Sequence, residues 1–148
     1  MSRSFVALSL AVLISGCGRI PIFNHLNAED QPVIAPTAET ACPVKLVKAN
    51  LCFGIEWIEK ATEEKAGSFR IKFTDGSSAK DPGKTVAVKL WMPSMGHGSS
   101  PVKVAPETAV GNYLATDVFF VMGGEWEIWI QLKDGSKVFD QGKIDFKL

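Results

Sequence analysis

Apolar and polar residues alternate along the chain from about residue 44 to its end. This alternation predicts β-strands with one buried face, because successive side chains of a strand point to opposite sides of the sheet. Turn-forming sequences such as Asp134-Gly135 separate the alternating segments. No helical period is sustained between them, so we predict an all-β fold, a seven-stranded antiparallel immunoglobulin-like β-sandwich. The seven segments are residues 51–58, 69–74, 86–92, 102–104, 113–121, 126–132 and 138–148.

The first seventeen residues have the composition of an export signal. Arg3 precedes an apolar run at residues 5–14 that is too short to be a permanent membrane helix. The run ends in Leu-Ile-Ser-Gly-Cys at residues 13–17, which resembles the lipobox of bacterial lipoproteins. This resemblance implies removal of a signal peptide, residues 1–16, and lipidation of Cys17. The alternative is an ordinary secretory signal followed by an incidental cysteine.

The residue after the lipidated cysteine bears on localisation. Gly18 stands there instead of an aspartate, which in a Gram-negative cell resembles lipoproteins sent to the outer membrane. We therefore expect a lipid-anchored protein of the cell envelope, at the periplasmic face of the outer membrane. Anchoring in the inner membrane is the alternative.

Residues 17–41 carry prolines and polar residues without any sustained apolar period. They predict a lipidated cysteine followed by a flexible tether, which leaves residues 42–148 as the folded domain. His25 lies in the tether, and we expect it to be solvated. The chain carries sixteen basic and sixteen acidic residues, a balance that argues against a nucleic-acid partner.

Two cysteines remain once Cys17 is lipidated. Cys42 and Cys52 form an even pair in an oxidising compartment, which favours a disulfide. Closing so short a loop is expected to stabilise the domain by roughly 2–3 kcal/mol. A reduced thiol pair that binds copper is the alternative.

The segment at residues 91–98, Trp-Met-Pro-Ser-Met-Gly-His-Gly, concentrates unusual side chains. Beyond Met1 the chain has three methionines, and it has two histidines in all. If the strands run antiparallel, the turns after segments 86–92 and 113–121 open at the same end of the sandwich. Thioethers with an imidazole favour Cu(I) over hard cations, so we predict a Cu(I) site. Its candidate ligands are Met92, Met95, His97 and Met122.

Each of these residues also has a simpler interpretation. Met92 and Met122 are in phase with buried positions of their strands and are equally consistent with core packing. His97, between two glycines, is equally consistent with an exposed turn. Met95 is harder to explain by packing.

The tryptophans divide by phase. Trp57 and Trp126 follow the buried phase, whereas Trp91 and Trp129 are out of phase and predict an outward-facing pair on neighbouring strands. Such a pair covers a sheet or contacts a partner. A sharper hypothesis is that Trp91 caps the Cu(I) ion through a cation–π contact.

Three separated motifs carry a family resemblance: residues 90–98, the Gly-Asn-Tyr of residues 111–113, and the Phe-Val-Met-Gly-Gly-Glu-Trp of residues 120–126. In this order and spacing, the segment from Cys42 to Leu148 resembles the YtkA-like and FixH-like domains. The resemblance implies an exported immunoglobulin-like domain, of a kind found near copper handling and respiratory-oxidase assembly. Carried over residue by residue, it points to the same candidate ligands, the three methionines and His97.

Two functions follow as expectations. The first is a lipid-anchored envelope protein that binds Cu(I) as a carrier, buffer or delivery partner. The second is a non-metal interaction module of an envelope, transport or oxidase-assembly complex, with Trp91 and Trp129 in its contact surface. Catalysis is not expected, because no Ser/His/Asp or Cys/His arrangement presents itself and the predicted domain has one histidine.

Overall fold

The structure is a computed structural model that describes residues 42–148. The predicted signal peptide, the lipidation site at Cys17, the tether up to residue 41 and His25 lie outside the described residues. Within residues 42–148 the secondary structure consists of nine strands without a helix. The strands are β1 (Val44–Leu46), β2 (Leu51–Glu59), β3 (Gly67–Thr74), β4 (Thr85–Met92), β5 (His97–Gly98), β6 (Lys103–Pro106), β7 (Asn112–Val118), β8 (Glu125–Asp134) and β9 (Lys137–Lys147). No helix of this part of the chain could cross a membrane.

The strands form two antiparallel sheets. The five-stranded sheet has the order β1-β2-β3-β7-β6, and the four-stranded sheet has the order β5-β4-β8-β9. One apolar core lies between them and contains buried side chains from both sheets, such as Phe69 and Ile71 from β3 and Ile128 and Ile130 from β8. The predicted all-β antiparallel architecture is therefore confirmed.

The predicted number of strands, seven, differs from the observed nine. β1 has three residues and β5 has two, and neither is long enough to show an alternation in the sequence. β1 pairs with the start of β2, and β5 pairs with the end of β4. Both short strands therefore depend on a longer neighbour for their hydrogen bonds.

The strand predicted at residues 113–121 is shorter than expected, since β7 ends at Val118. The pairing of β7 with β3 is irregular near its end, where Asp117 adopts a positive φ of 58°. After Val118 the chain leaves the five-stranded sheet and enters β8 of the four-stranded sheet. Residues 119–124 consequently cross between the sheets and lie outside both strands.

The sulfur atoms of Cys42 and Cys52 lie at disulfide distance, with Cα atoms 5.1 Å apart, as the sequence predicted. β2 runs in the same direction as β7, so Cys52 lies at the end of the sheet far from residues 119–124. The seven residue-to-residue steps from Cys52 to Glu59, at about 3.3 Å each, place the disulfide about 23 Å from that turn. The pair cannot share a metal ion with His97.

A charged network covers the outer face of the five-stranded sheet. The Arg70 guanidinium donates from Nε and Nη2 to both carboxylate oxygens of Glu107, and Nη1 lies 3.4 Å from Glu56. Lys72 also pairs with Glu56, at 2.8 Å. The hydrogen bond from Arg70 holds the pKa of Glu107 below its ordinary value, and that from Lys72 does the same for Glu56.

Candidate metal centre

The turn that joins β4 to β5 is tight. The N–H groups of Met95 and Gly96 donate to the carbonyl oxygen of Met92, at 3.3 and 2.9 Å. The chain then reverses so that Met92 and His97 are directly paired across the two strands. Directly paired residues have side chains on the same face of a sheet with Cβ atoms about 5 Å apart. The turn therefore places a thioether and an imidazole side by side.

The segment between β7 and β8, residues 119–124, lies at the same end of the domain. The hydroxyl of Ser99, just after β5, donates to the carbonyl oxygen of Phe119. The indole Nε1–H of Trp126 donates to the carbonyl oxygen of Met122 at 3.1 Å. The backbone of Gly124 exchanges two hydrogen bonds with that of Leu148, at 3.0 and 3.3 Å. The segment is thus held in place by contacts with the strands around it.

The two turns form the walls of one cleft of about 380 Å³. Every methionine of the described domain contributes to its lining. The lining residues are Met92, Pro93, Ser94, Met95, Met122, Gly123, Gly124 and Glu125.

The three methionines differ in how open they are to solvent. Met92 is 4% exposed, and its Cε lies so close to Gly124 that an added Cβ there would come within 2.6 Å of it. Met95 is 59% exposed and Met122 is 38% exposed. Met92 is therefore packed in the core, as its simpler interpretation predicts, whereas Met95 and Met122 are not. Met122, predicted in phase with the core, is exposed because its strand ends four residues earlier.

His97 is beside the cleft but is not among the residues that line it. Its ring is half-buried, with its centroid 6.0 Å from that of Trp126. Its Nδ1 lies 3.0 Å from the carbonyl oxygen of Gly98. A carbonyl oxygen only accepts hydrogen bonds, so the neutral tautomer that makes this contact carries its proton on Nδ1 and has a lone pair on Nε2.

Trp91 and Trp129 lie on the outer face of the four-stranded sheet. Trp91 is adjacent in sequence to the buried Met92 and pairs with Gly98 and Glu127. Its ring is covered by the Lys89 ammonium, whose Nζ is 4.3 Å from the ring centroid. Trp91 thus has the outward position that its phase predicts, and it is not among the residues that line the cleft, where the hypothesis of a Cu(I) cap would require it.

Trp126 also lies at this end of the domain, although the sequence analysis assigned it only to the core. It is buried, with 1% of its surface exposed, yet it contacts both turns through Met122 and His97. One feature of the sequence could have identified Trp126 as a residue near the cleft: it follows Met122 by four residues, just after the pair Gly123-Gly124. A residue so placed lies at the beginning of the strand that follows the turn, here as the second residue of β8.

A neighbouring cavity of about 430 Å³ shares Pro93 and Glu125 with the methionine cleft and extends along β8 and β9. Its carboxylate Glu127 has a lowered pKa because Lys143 and Trp129 donate hydrogen bonds to it. Across residues 42–148, no three side chains drawn from His, Cys, Asp and Glu lie close enough to hold a metal ion.

A model of the YtkA-like family matches residues 57–131, from β2 into β8, and so includes both turns of the cleft. The matched segment is just over half of the chain. The chain belongs to the YtkA-like family. No curated protein and no solved structure matches it.

Proposed function

We propose that this YtkA-like protein is a lipid-anchored envelope protein that binds Cu(I) through Met92, Met95, His97 and Met122. Its role is that of a copper carrier, buffer or delivery partner. The observation that carries the proposal is the cleft between the two turns, which all three methionines of the domain line. His97 is the cross-strand partner of Met92 and supplies an imidazole beside the cleft.

The donor set favours a soft monovalent ion. Thioether sulfur is neutral and polarisable, so it binds Cu(I) or Ag(I) well, whereas Mg²⁺ and Ca²⁺ require several oxygen ligands. An imidazole with a free Nε2 lone pair adds one nitrogen donor. The described domain has one histidine, which also argues for binding in preference to acid–base catalysis.

The unequal exposure of the sulfurs suits transfer of the ion. Met95 and Met122 are open to solvent, whereas Met92 lies at the base of the cleft against Gly124. An incoming ion first meets the two exposed thioethers, and a partner protein reaches the same two groups when it removes the ion. A carrier or delivery protein requires such access.

The test is a competition titration with Cu(I) and a chromogenic chelator under anaerobic conditions. The double variant Met95→Leu/His97→Ala should lose at least tenfold in affinity because it removes one sulfur and the imidazole. His25→Ala is the matched control, since it removes the other histidine of the chain. Equal affinity of the double variant and the unchanged protein would exclude this cleft as the copper site.

The anchor is proposed from the N-terminal sequence. Lipidated Cys17 holds the domain at the envelope membrane, at the periplasmic face of the outer membrane, and residues 17–41 act as the tether. Replacing Cys17 with serine should release the protein into the soluble fraction. Membrane association that survives this substitution would count against lipidation.

We also propose that the two facing sheets have immunoglobulin-like connectivity. Their antiparallel pairing, with the core between them, supports this proposal. An experimental structure whose strand connections differ from that arrangement would refute it.

The second candidate is an interaction module for an envelope protein of a transport or oxidase-assembly complex. The outer face of the four-stranded sheet favours it, because Trp91 and Trp129 lie there with Lys89 and the ion pair of Glu127 with Lys143. Elemental analysis of protein purified from the envelope distinguishes the two functions. Absence of copper, with a crosslinked partner that is lost in Trp91→Ala, would favour the interaction module.

A further inference from the structure

We infer that Trp126 is the positioning residue of the methionine cleft, because a single buried indole joins its two walls. This inference rests on the proposed function, since it assigns Trp126 a role in a metal site. Trp91, which lies on the outer face of the sheet, has no such role.

The indole N–H of Trp126 acts on the wall that carries Met122. It donates to the Met122 carbonyl oxygen at 3.1 Å, across a separation of four residues. A buried indole N–H requires a hydrogen-bond partner, and the turn supplies it. The bond holds the backbone from which the Met122 thioether projects.

The ring of Trp126 acts on the other wall. The His97 ring meets it at 6.0 Å between centroids and an interplanar angle of 73°, an edge-to-face arrangement. His97 is paired with Met92 across β4 and β5. Trp126 therefore limits the rotation of the imidazole that stands next to the buried thioether.

Core side chains hold the indole of Trp126 in place. Phe120 packs against it with a centroid distance of 5.2 Å, and Phe146 is its partner in the pairing of β8 with β9. Side chains locked by packing hold a binding geometry more accurately than side chains on loops do. The relative placement of the two turns is thereby set by a core residue.

The first test compares Trp126→Phe with Trp91→Phe in the protein purified in detergent from cells expressing the full chain. Ag(I), which shares the ligand preference of Cu(I) and does not change oxidation state, is the probe. Trp126→Phe keeps an aromatic ring in the core and removes the hydrogen bond to Met122. We expect its Ag(I) affinity to fall at least tenfold, while Trp91→Phe binds as the unchanged protein does.

The second measurement uses the unchanged protein and so does not depend on the folding of a variant. Each tryptophan gives a separate indole N–H signal in a ¹H–¹⁵N correlation spectrum. Addition of Ag(I) should shift the Trp126 signal more than those of Trp91 and Trp129. His97→Ala should also shift the Trp126 signal in the metal-free protein, as a direct sign of the contact.

The outcomes separate the two proposals. If the unchanged protein fails to bind Ag(I), the proposed copper site is overturned and the positioning role with it. If the unchanged protein binds Ag(I) but Trp126→Phe binds equally well and the Trp126 signal does not move, only the positioning role is overturned.

Discussion

Replacing Gly111 with alanine is expected to destabilise the domain far more than the same change at Gly135. Gly111 lies just before β7 and has a φ of +75°, and Gly135 lies in the β8–β9 turn with a φ of +60°. A Cβ at Gly111 would come within 2.8 Å of the carbonyl oxygens of Phe73 and Lys80, whereas a Cβ at Gly135 would meet nothing within 4 Å. The pair therefore separates the cost of the backbone conformation from the cost of the close contact.

The magnitude follows from three contributions. An alanine in the left-handed region costs about 1–2 kcal/mol, and this applies at both positions. At Gly111 alone, the added methyl group must displace backbone atoms, which costs about 1–3 kcal/mol by analogy with overpacked cores. The displaced groups include the Phe73 N–H, which donates to Gly111, and the Lys80 N–H, which donates to Phe73. Weakening these bonds adds about 1 kcal/mol each.

Gly111→Ala should thus lose about 4–7 kcal/mol, a large part of the 5–15 kcal/mol that is typical of a domain. Urea unfolding followed by circular dichroism measures the difference. With a slope of about 2 kcal/mol per molar urea, the midpoint should fall by about 2–3.5 M for Gly111→Ala and by clearly less for Gly135→Ala. Equal midpoints would refute the argument from the close contact.

Three further outcomes are expected. Replacing both Cys42 and Cys52 with alanine should lower the free energy of unfolding, measured in urea, by about 3 kcal/mol because the unfolded chain gains loop entropy. The same variant should keep its Ag(I) affinity. A reduced affinity would contradict the separation in space of the disulfide and the cleft. Burial and a hydrogen bond to Asp81 raise the pKa of Tyr113 to about 12. The absorbance change on ionisation of Tyr113, the one tyrosine of the chain, should therefore have its midpoint near that pH. Because a tyrosine of the unfolded chain ionises near pH 10, the free energy of unfolding should fall as pH rises above about 10. Asp81→Asn should lower that midpoint, and an unchanged midpoint would exclude Asp81 as a cause. Because the pKa of Glu107 is lowered in the folded protein, its carboxylate contributes stability that is lost as pH falls below 4.5, the ordinary pKa of the group. Glu107→Gln removes this contribution and should show a shallower acid unfolding curve by circular dichroism. An acid unfolding curve identical to that of the unchanged protein would contradict the contribution of Glu107.

The faces of the long strands could be predicted from the sequence. In β3, Phe69, Ile71 and Phe73 are buried and alternate with more exposed residues, and β8 shows the same alternation. Period two is a local property of a strand, so the sequence pattern carries it directly. For the same reason Trp91 and Trp129 were expected on an outer face, and the structure places them there.

The short strands and the exposure of Met122 could not be predicted in this way. β5 exists because the turn after β4 returns two residues to pairing distance, and two residues carry no period. The irregularity near Asp117 and the crossing between the sheets end β7 early, which removes Met122 from a buried phase. These features depend on the neighbouring strands and leave no local signal.

The sequence by itself determined the β-strand content, the buried and exposed faces of the long strands, and the family. It also determined which side chains are available as soft ligands, because the domain has only three methionines and one histidine. Only the tertiary structure decided that Met92 is buried while Met95 and Met122 are open to solvent, and that Trp126 contacts both turns. Alternation acts between neighbours along the chain, whereas a cleft is formed by turns far apart in sequence that antiparallel pairing brings to one end of the domain.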